Sequence, residues 1–167
     1  NLDLGLMAAN SVTPFDETHV HLLQREEVLF AIPASHPYAK ENPSGPIAWK
    51  DLIRIFEKEN FLLSRRDSSL RVLTDKLFES CRFAPSAMCE TNSVTATCRM
   101  VENGIGVTFL GESCKDSSGP VAYYSLEPKL YRLNLLARRK NWILNPAEEF
   151  LCQLIRSSFP LSGAENS

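Results

Sequence analysis

The residues best suited to chemistry lie in two short polar stretches, each set just before an amphipathic helix. Thr91, Asn92 and Ser93 precede a segment in which Val94, Cys98 and Val101 recur at i, i+4 and i+7, one face of a helix. Arg65-Arg66-Asp67-Ser68-Ser69 precedes a second helix, whose apolar stripe is Leu70, Leu73, Leu77, Phe78 and Cys81. Serine, threonine and asparagine are helix-capping types. A helix N-terminus, with unpaired N–H groups and the positive end of the dipole, is also a place where a negative group can be held. The residues leave both uses open. Arg65 and Arg66 beside these helix starts suggest an anionic ligand such as a carboxylate, against the alternative that both face solvent.

Other chemistry finds little support. The five cysteines, Cys81, Cys89, Cys98, Cys114 and Cys152, are odd in number and have no C-x-x-C spacing. That pattern favours free thiols in a reducing cytoplasm over a disulfide framework or a zinc site. His19 and His21 would share one face of a strand, yet with His36 they stand apart from the cysteines in sequence, and packing or solvent-facing roles are favoured over metal binding. Gly104-x-Gly106 lacks the third glycine of a dinucleotide loop and follows a helix, and no G-x-S-x-G or H-E-x-x-H is present. Cys89 or Cys98 paired with a distant histidine is conceivable as a nucleophile, but both lie in elements that read as buried. No enzyme and no cofactor is expected.

The elements that position the two polar stretches follow from the hydrophobic pattern. Asn60 to Ser64 and Ser86 to Glu90 read as strands leading into them, and Gly106 to Leu110 as the strand after the second helix, which Asn103-Gly104 stops. The order from Phe61 to Leu110 is thus β-α-β-α-β, which favours a parallel sheet with right-handed crossovers. Both polar stretches then fall on the edge formed by the C-terminal ends of the strands, where such sheets bind ligands. Upstream, Asp3 to Ala8 reads as a buried strand, 10–16 as a loop, Thr18 to Leu23 as a strand, and Glu27 to Pro33 as a stronger one. A long Pro- and Gly-rich connection follows from Ser35, and Trp49 to Leu52 suggests a single helical turn. Downstream, Glu112 to Gly119 is a loop, and Val121 to Tyr124 and Leu130 to Ala137 are strands; Arg138 to Lys140 is a solvated basic turn. Asn145-Pro146-Ala147-Glu148 starts a final helix with N-cap, N1 proline and N3 glutamate. Its expected buried face is Ala147, Phe150, Leu151, Leu154, Ile155 and Phe159, with a loose tail over 161–167.

The whole chain sets outer limits. Its 167 residues suit one domain or two small lobes, and 44% hydrophobic with 23% charged residues fits a soluble globular protein. A formal charge of −2 argues against this chain holding nucleic acid by itself. No apolar run approaches a membrane span, and the N-terminus lacks the pattern of a signal peptide.

Several segments, taken together, resemble the effector-binding domain of LysR-type bacterial transcriptional regulators. Leu2-Asp3-Leu4-Gly5-Leu6 is similar to that family's "G-x-LD-hydrophobic" strand, and Val28 to Ala39, ending Ser-His-Pro-Tyr-Ala, to its "lvlpxxHPLa" segment. Trp49-Lys50-Asp51-Leu52 resembles "W-x-DL", Val101 to Val107 resembles "VaaGlGia", and Asn145 to Phe150 resembles the terminal "spaaraF" helix. The match covers nearly all of 2–160.

The resemblance implies an α/β fold of two Rossmann-like lobes with a central cleft, like type 2 periplasmic binding proteins. The first lobe would take 1–60 and 125–160, and the second 61–124. It implies a small-molecule effector in the cleft, contacted by Ser68, Ser69, Thr91, Asn92 and Ser93, and by Ala8, Ala9 and Asn10 at the end of the "LD" strand. Arg65 and Phe109 are counted with them. It also implies a homodimer or homotetramer through effector domains, with DNA contacted only through a winged helix-turn-helix that this sequence does not contain. A solute-binding protein of a transporter shares the architecture, but the unpaired cysteines and the missing signal peptide count against it. The start of the first lobe is also absent relative to the family. The expectation is exposed apolar surface and an open sheet edge there, for a missing segment or partner to cover.

Overall fold

The structure is a computed structural model that describes residues 3–11 and 19–159. The contacts divide the chain into two units, 1–26 with 132–167 and 27–131, so the backbone passes between them at Glu26–Glu27 and Tyr131–Arg132. The sequence-based division at about 60 and 125 differs from this one. Residues 28–56 explain the difference: Val28, Phe30, Ile32, Ile47, Leu52 and Phe56 are buried in the same core as Phe61 and Phe109.

The larger unit is built on strands β2 (Val20–Pro33, which enters from the other unit), β4 (Asn60–Leu63), β5 (Ser86–Glu90) and β6 (Val107–Gly111), in the order β2-β6-β4-β5. β6, β4 and β5 are parallel, and β2 runs antiparallel to β6 and to β7 (Val121–Tyr124). A small parallel pair joins β3 (Ile47–Ala48) to β8 (Leu126–Glu127). Helix α3 (Ser69–Ser80) connects β4 to β5, and α4 (Val94–Glu102) connects β5 to β6, giving the expected β-α-β-α-β order.

Burial explains the packing of these helices. α3 buries Leu70, Leu77 and Phe78, with Leu73 and Cys81 half-buried, as its stripe predicts. In α4 the expected stripe shifts: Thr97 and Val101 are buried and Cys98 half-buried, while Val94 in the first turn is exposed. The core is aromatic. The ring of Phe30 meets those of Phe56 at 4.9 Å and Phe109 at 5.1 Å, and Phe61 meets Phe78 edge-on at 5.4 Å. Such edge-to-face pairs match the ring quadrupoles. Gly104, in the left-handed region at φ 71°, ends α4 as the Asn-Gly pair predicts. Gly106 lies so close to β4 that an added Cβ would run into the Asn60 carbonyl.

Several sequence expectations need correction here. The connection from Ser35 contains a short helix α1 (Pro37–Glu41), started by His36, whose Nδ1 accepts the Tyr38 N–H at 3.1 Å. The turn at Trp49 is a full helix α2 (Trp49–Phe56) burying Leu52 and Phe56. The two strands expected around 18–33 are one strand, since Gln24 to Glu26 stay extended. The loop after β6 opens with a 3-10 turn over Glu112–Cys114.

The smaller unit holds β1 (Leu4–Ala9), β9 (Leu130–Arg138, arriving from the larger unit), the first part of β2, and helix α5 (Pro146–Ser158). β9 lies between β1 and β2, and β1 pairs with it antiparallel, Leu4 opposite Arg138 and Ala9 opposite Leu133. β1 is only half-buried, with Leu6 62% exposed, where a buried strand is expected. α5 forms with the predicted capping box, Asn145 and Glu148 each bonding the other's backbone N–H. Its buried face is the expected one only in part. Cys152, with Ile155 and Phe159, packs on Leu23 and Leu136. Phe150, Leu151 and Leu154 are exposed, because α5 carries two apolar stripes and this sheet covers one. Exposed apolar surface is thus present on this unit. The expected tail over 161–167, and most of the loop over 10–16, lie outside the described residues.

Candidate functional site

The parallel pairing of β4 with β5, with Leu63 opposite Glu90, brings the loops after both strands to one edge. Thr91 continues the ladder by donating its N–H to the Leu63 carbonyl at 3.0 Å. The Asn92 side chain then ties the loops together, its Oδ1 accepting the Arg65 N–H at 3.0 Å. Two helix N-termini are thereby fixed beside each other by the sequence of both loops.

The hydroxyls of this edge are engaged as caps. Ser68 Oγ accepts the Arg71 N–H at 3.0 Å, and Ser93 Oγ accepts the Ala96 N–H at 3.3 Å. Thr91 Oγ1 accepts the Ser93 N–H at 3.1 Å. The capping use is therefore realised, and it does not exclude the other. The first-turn N–H groups of Ser69 and Leu70 in α3, and of Val94 and Thr95 in α4, have by geometry no acceptor inside their own helices. Each cap also leaves its hydroxyl hydrogen available to donate.

The arginines divide differently from the sequence reading. Arg65 and Arg66 have exposed side chains, with Asp67 at 3.6 Å and Glu90 at 3.8 Å respectively. Arg71 was not singled out by sequence, yet it is buried. It donates to Asp75 at 2.8 Å, to Glu90 at 2.9 Å and to the Ser64 carbonyl at 3.0 Å. It buttresses the loop after β4 from below. The Arg71 hydrogen bond also holds the Glu90 carboxyl below its ordinary range. Phe109 is 3% exposed and belongs to the aromatic core, where it lines one small cavity with Ser64 and Leu70.

In the smaller unit, Ala8 is exposed and Ala9 buried at the end of β1, and Asn10 follows them. The Asn10 Oδ1 is buried and has no hydrogen-bond partner among the described residues. Across the ladder, Asn134 faces Ala8. Asn134 and Arg132 both donate to Glu26, which is fully buried: Arg132 Nε at 2.6 Å and Asn134 Nδ2 at 3.2 Å. Sequence reading missed this cluster because Arg132 and Asn134 lie 106 and 108 residues from Glu26. Only the β2–β9 arrangement reveals it.

All five cysteines are free. Burial, then Cys114 and the nearby acids Glu102 and Asp116, push the Cys98 thiol up, opposite to what a nucleophile needs. Among the described residues no cluster of histidines, cysteines and acids is placed to hold a metal ion, and no helix is long and apolar enough to cross a membrane.

An open α/β sheet thus carries capped polar loops at the ends of its parallel strands. The model of the LysR substrate binding domain matches residues 1–160, and the chain belongs to that family. The chain is 28% identical over 162 residues to an uncharacterized HTH-type transcriptional regulator, YybE, of Bacillus subtilis; the match takes 95% of this chain and 52% of the relative, so the chain spans about half of that protein's length. Among solved structures, the regulatory domain of CcmR from Synechocystis PCC6803, in complex with 2-PG, is similar with a TM-score of 0.76 at 14% identity, over 96% of this chain and 74% of that one. The effector binding domain of QuiR in complex with shikimate is similar with a TM-score of 0.68 at 21% identity, over 94% and 71%. The fold is therefore that of LysR effector-binding domains.

Proposed function

We propose that this domain senses a small anionic metabolite and, as part of a transcriptional regulator, controls how that regulator engages DNA. The observation that carries the reading is the pair of capped helix N-termini at one sheet edge, locked together by the Asn92–Arg65 bond. Fixed N–H donors and helix dipoles favour a carboxylate or similar group there. Within the larger unit the proposed contacts are Ser68, Ser69, Thr91, Asn92 and Ser93; within the smaller unit, taken by itself, the proposed contacts are Ala8, Ala9 and Asn10. The ligands of the structural neighbours fit this chemistry, shikimate being a hydroxylated carboxylate. Action through a shift in conformational population, assembly through effector domains, DNA contact through a separate helix-turn-helix, a cytoplasmic setting and the lack of catalysis complete the proposal.

A thermal-shift screen against small carboxylates and amino acids tests it. A ligand at about a hundred times its Kd adds roughly 2.7 kcal/mol, a rise of about 5–10 °C for a chain of this size. The rise should vanish in Ser69→Ala or Thr91→Ala. A ligand whose shift survives both substitutions would place binding elsewhere.

A further inference from the structure

We propose that Arg132 is a specificity-determining ligand contact, that Glu26 positions it, and that Asn10 takes the hydrogen-bond donor of the same ligand, a small hydroxy- or amino-carboxylate. This rests on the effector-sensing reading and names the chemical class that the smaller unit selects.

The argument begins with Glu26. A fully buried carboxylate is costly unless paired, and a buried ion pair is seldom more stable than an apolar replacement. Stability alone gives little reason for Glu26, whereas orientation does. Glu26 holds Arg132 through Nε, the nitrogen nearest the chain, at 2.6 Å. That restrains the guanidinium, whose terminal NH2 groups carry the donor fork that suits a carboxylate. The Arg132 side chain retains 20% exposure, enough to be reached.

Asn10 supplies the second contact. Asn10 follows Ala9, the last residue of β1, which faces Leu133 next to Arg132 in β9. The Asn10 Oδ1 is a buried acceptor without a partner among the described residues. Buried acceptors are nearly always satisfied, and a hydroxyl or amino hydrogen of a ligand would satisfy this one. Donors of Arg132 near an acceptor of Asn10 match a ligand carboxylate with a neighbouring hydroxyl or amine.

Titration of the protein with L-lactate and with propionate, which lacks the hydroxyl, tests the assignment. The readouts are the arginine Nε–Hε NMR signals, with Arg132 assigned through Arg132→Lys, and the backbone amides of Ser69 and Thr91. At about 10 mM, enough for a millimolar Kd, the Arg132 signal should move with both acids. Lactate should bind about five- to tenfold more tightly, the worth of one hydrogen bond. Asn10→Ala should remove that preference, and Glu26→Gln should weaken both acids while circular dichroism shows the fold kept. A still Arg132 signal with moving Ser69 and Thr91 amides overturns the assignment and leaves the sensing reading intact. Silence at all three positions overturns it together with the carboxylate form of that reading. Equal affinity for the two acids refutes the role of Asn10.

Discussion

Ser68 and Ser93 allow the capping and ligand-binding roles to be separated by a pair of substitutions at each position. Each hydroxyl accepts one first-turn N–H, from Arg71 at 3.0 Å and from Ala96 at 3.3 Å. Removing an N-cap hydroxyl costs about 1 kcal/mol. The Ser93 bond is longer and lies at an exposed loop, so Ser93→Ala should fall below that value and Ser68→Ala near it. For a chain of this length about 1 kcal/mol corresponds to a Tm lower by about 2–4 °C. The caps serve different helices, so the double variant should lose close to the sum. Aspartate caps as well as serine. Ser68→Asp and Ser93→Asp should therefore keep the wild-type Tm in the absence of ligand, while their added negative charge repels an anionic ligand and abolishes its thermal shift. Urea or thermal denaturation with and without ligand reads both effects. If the alanine variants are as stable as wild type, the hydroxyls do not cap. If the aspartate variants keep the full ligand response, no anion binds at these helix starts.

Three further outcomes follow from the same geometry. Gly106→Ala should destabilise by about 1–3 kcal/mol, because the new methyl meets the Asn60 carbonyl rather than a flexible side chain; chemical denaturation measures it. Phe109→Ala should cost about 3–5 kcal/mol and Phe109→Leu much less, and ligand shifts measured on the stable leucine variant should be unchanged, since Phe109 sits among Phe30, Phe61 and Phe78. The folded-state pKa of Glu90 lies below its usual value through the Arg71 hydrogen bond, so its contribution is present above the ordinary carboxylate pKa and is lost as pH falls through the lowered one. Glu90→Gln should flatten that part of the acid limb in a stability–pH profile, and an unchanged limb would refute the pairing.

The parts of the fold visible in sequence are those whose signals are local. Helix α3 shows its cap and its stripe within one short stretch, and the β-α-β-α-β order follows from repeating that reading. Helix α5 shows where local signals stop. Its start is written in Asn145, Pro146 and Glu148, but which of its two apolar stripes is buried depends on the sheet it meets, and the structure chooses Cys152, Ile155 and Phe159. The unit boundary is equally non-local, for Val28 and Phe30 read as strand residues whichever core receives them.

The candidate site divides along the same line. The loops at Ser68 and Thr91 were legible because capping residues announce helix starts, and a parallel sheet then gathers those starts. The residues that hold the site in shape were not legible. Arg71 looks like any helical arginine until Asp75, Ser64 and Glu90 surround it, and its neighbours Arg65 and Arg66 give the stronger sequence signal while facing solvent. Arg132 and Glu26 meet only because β2 and β9 share a sheet. A cap can be recognised from its own few residues, whereas a fixed guanidinium depends on a partner elsewhere in the chain. The contacts most able to select one ligand over another are thus the ones that a single sequence conceals most fully.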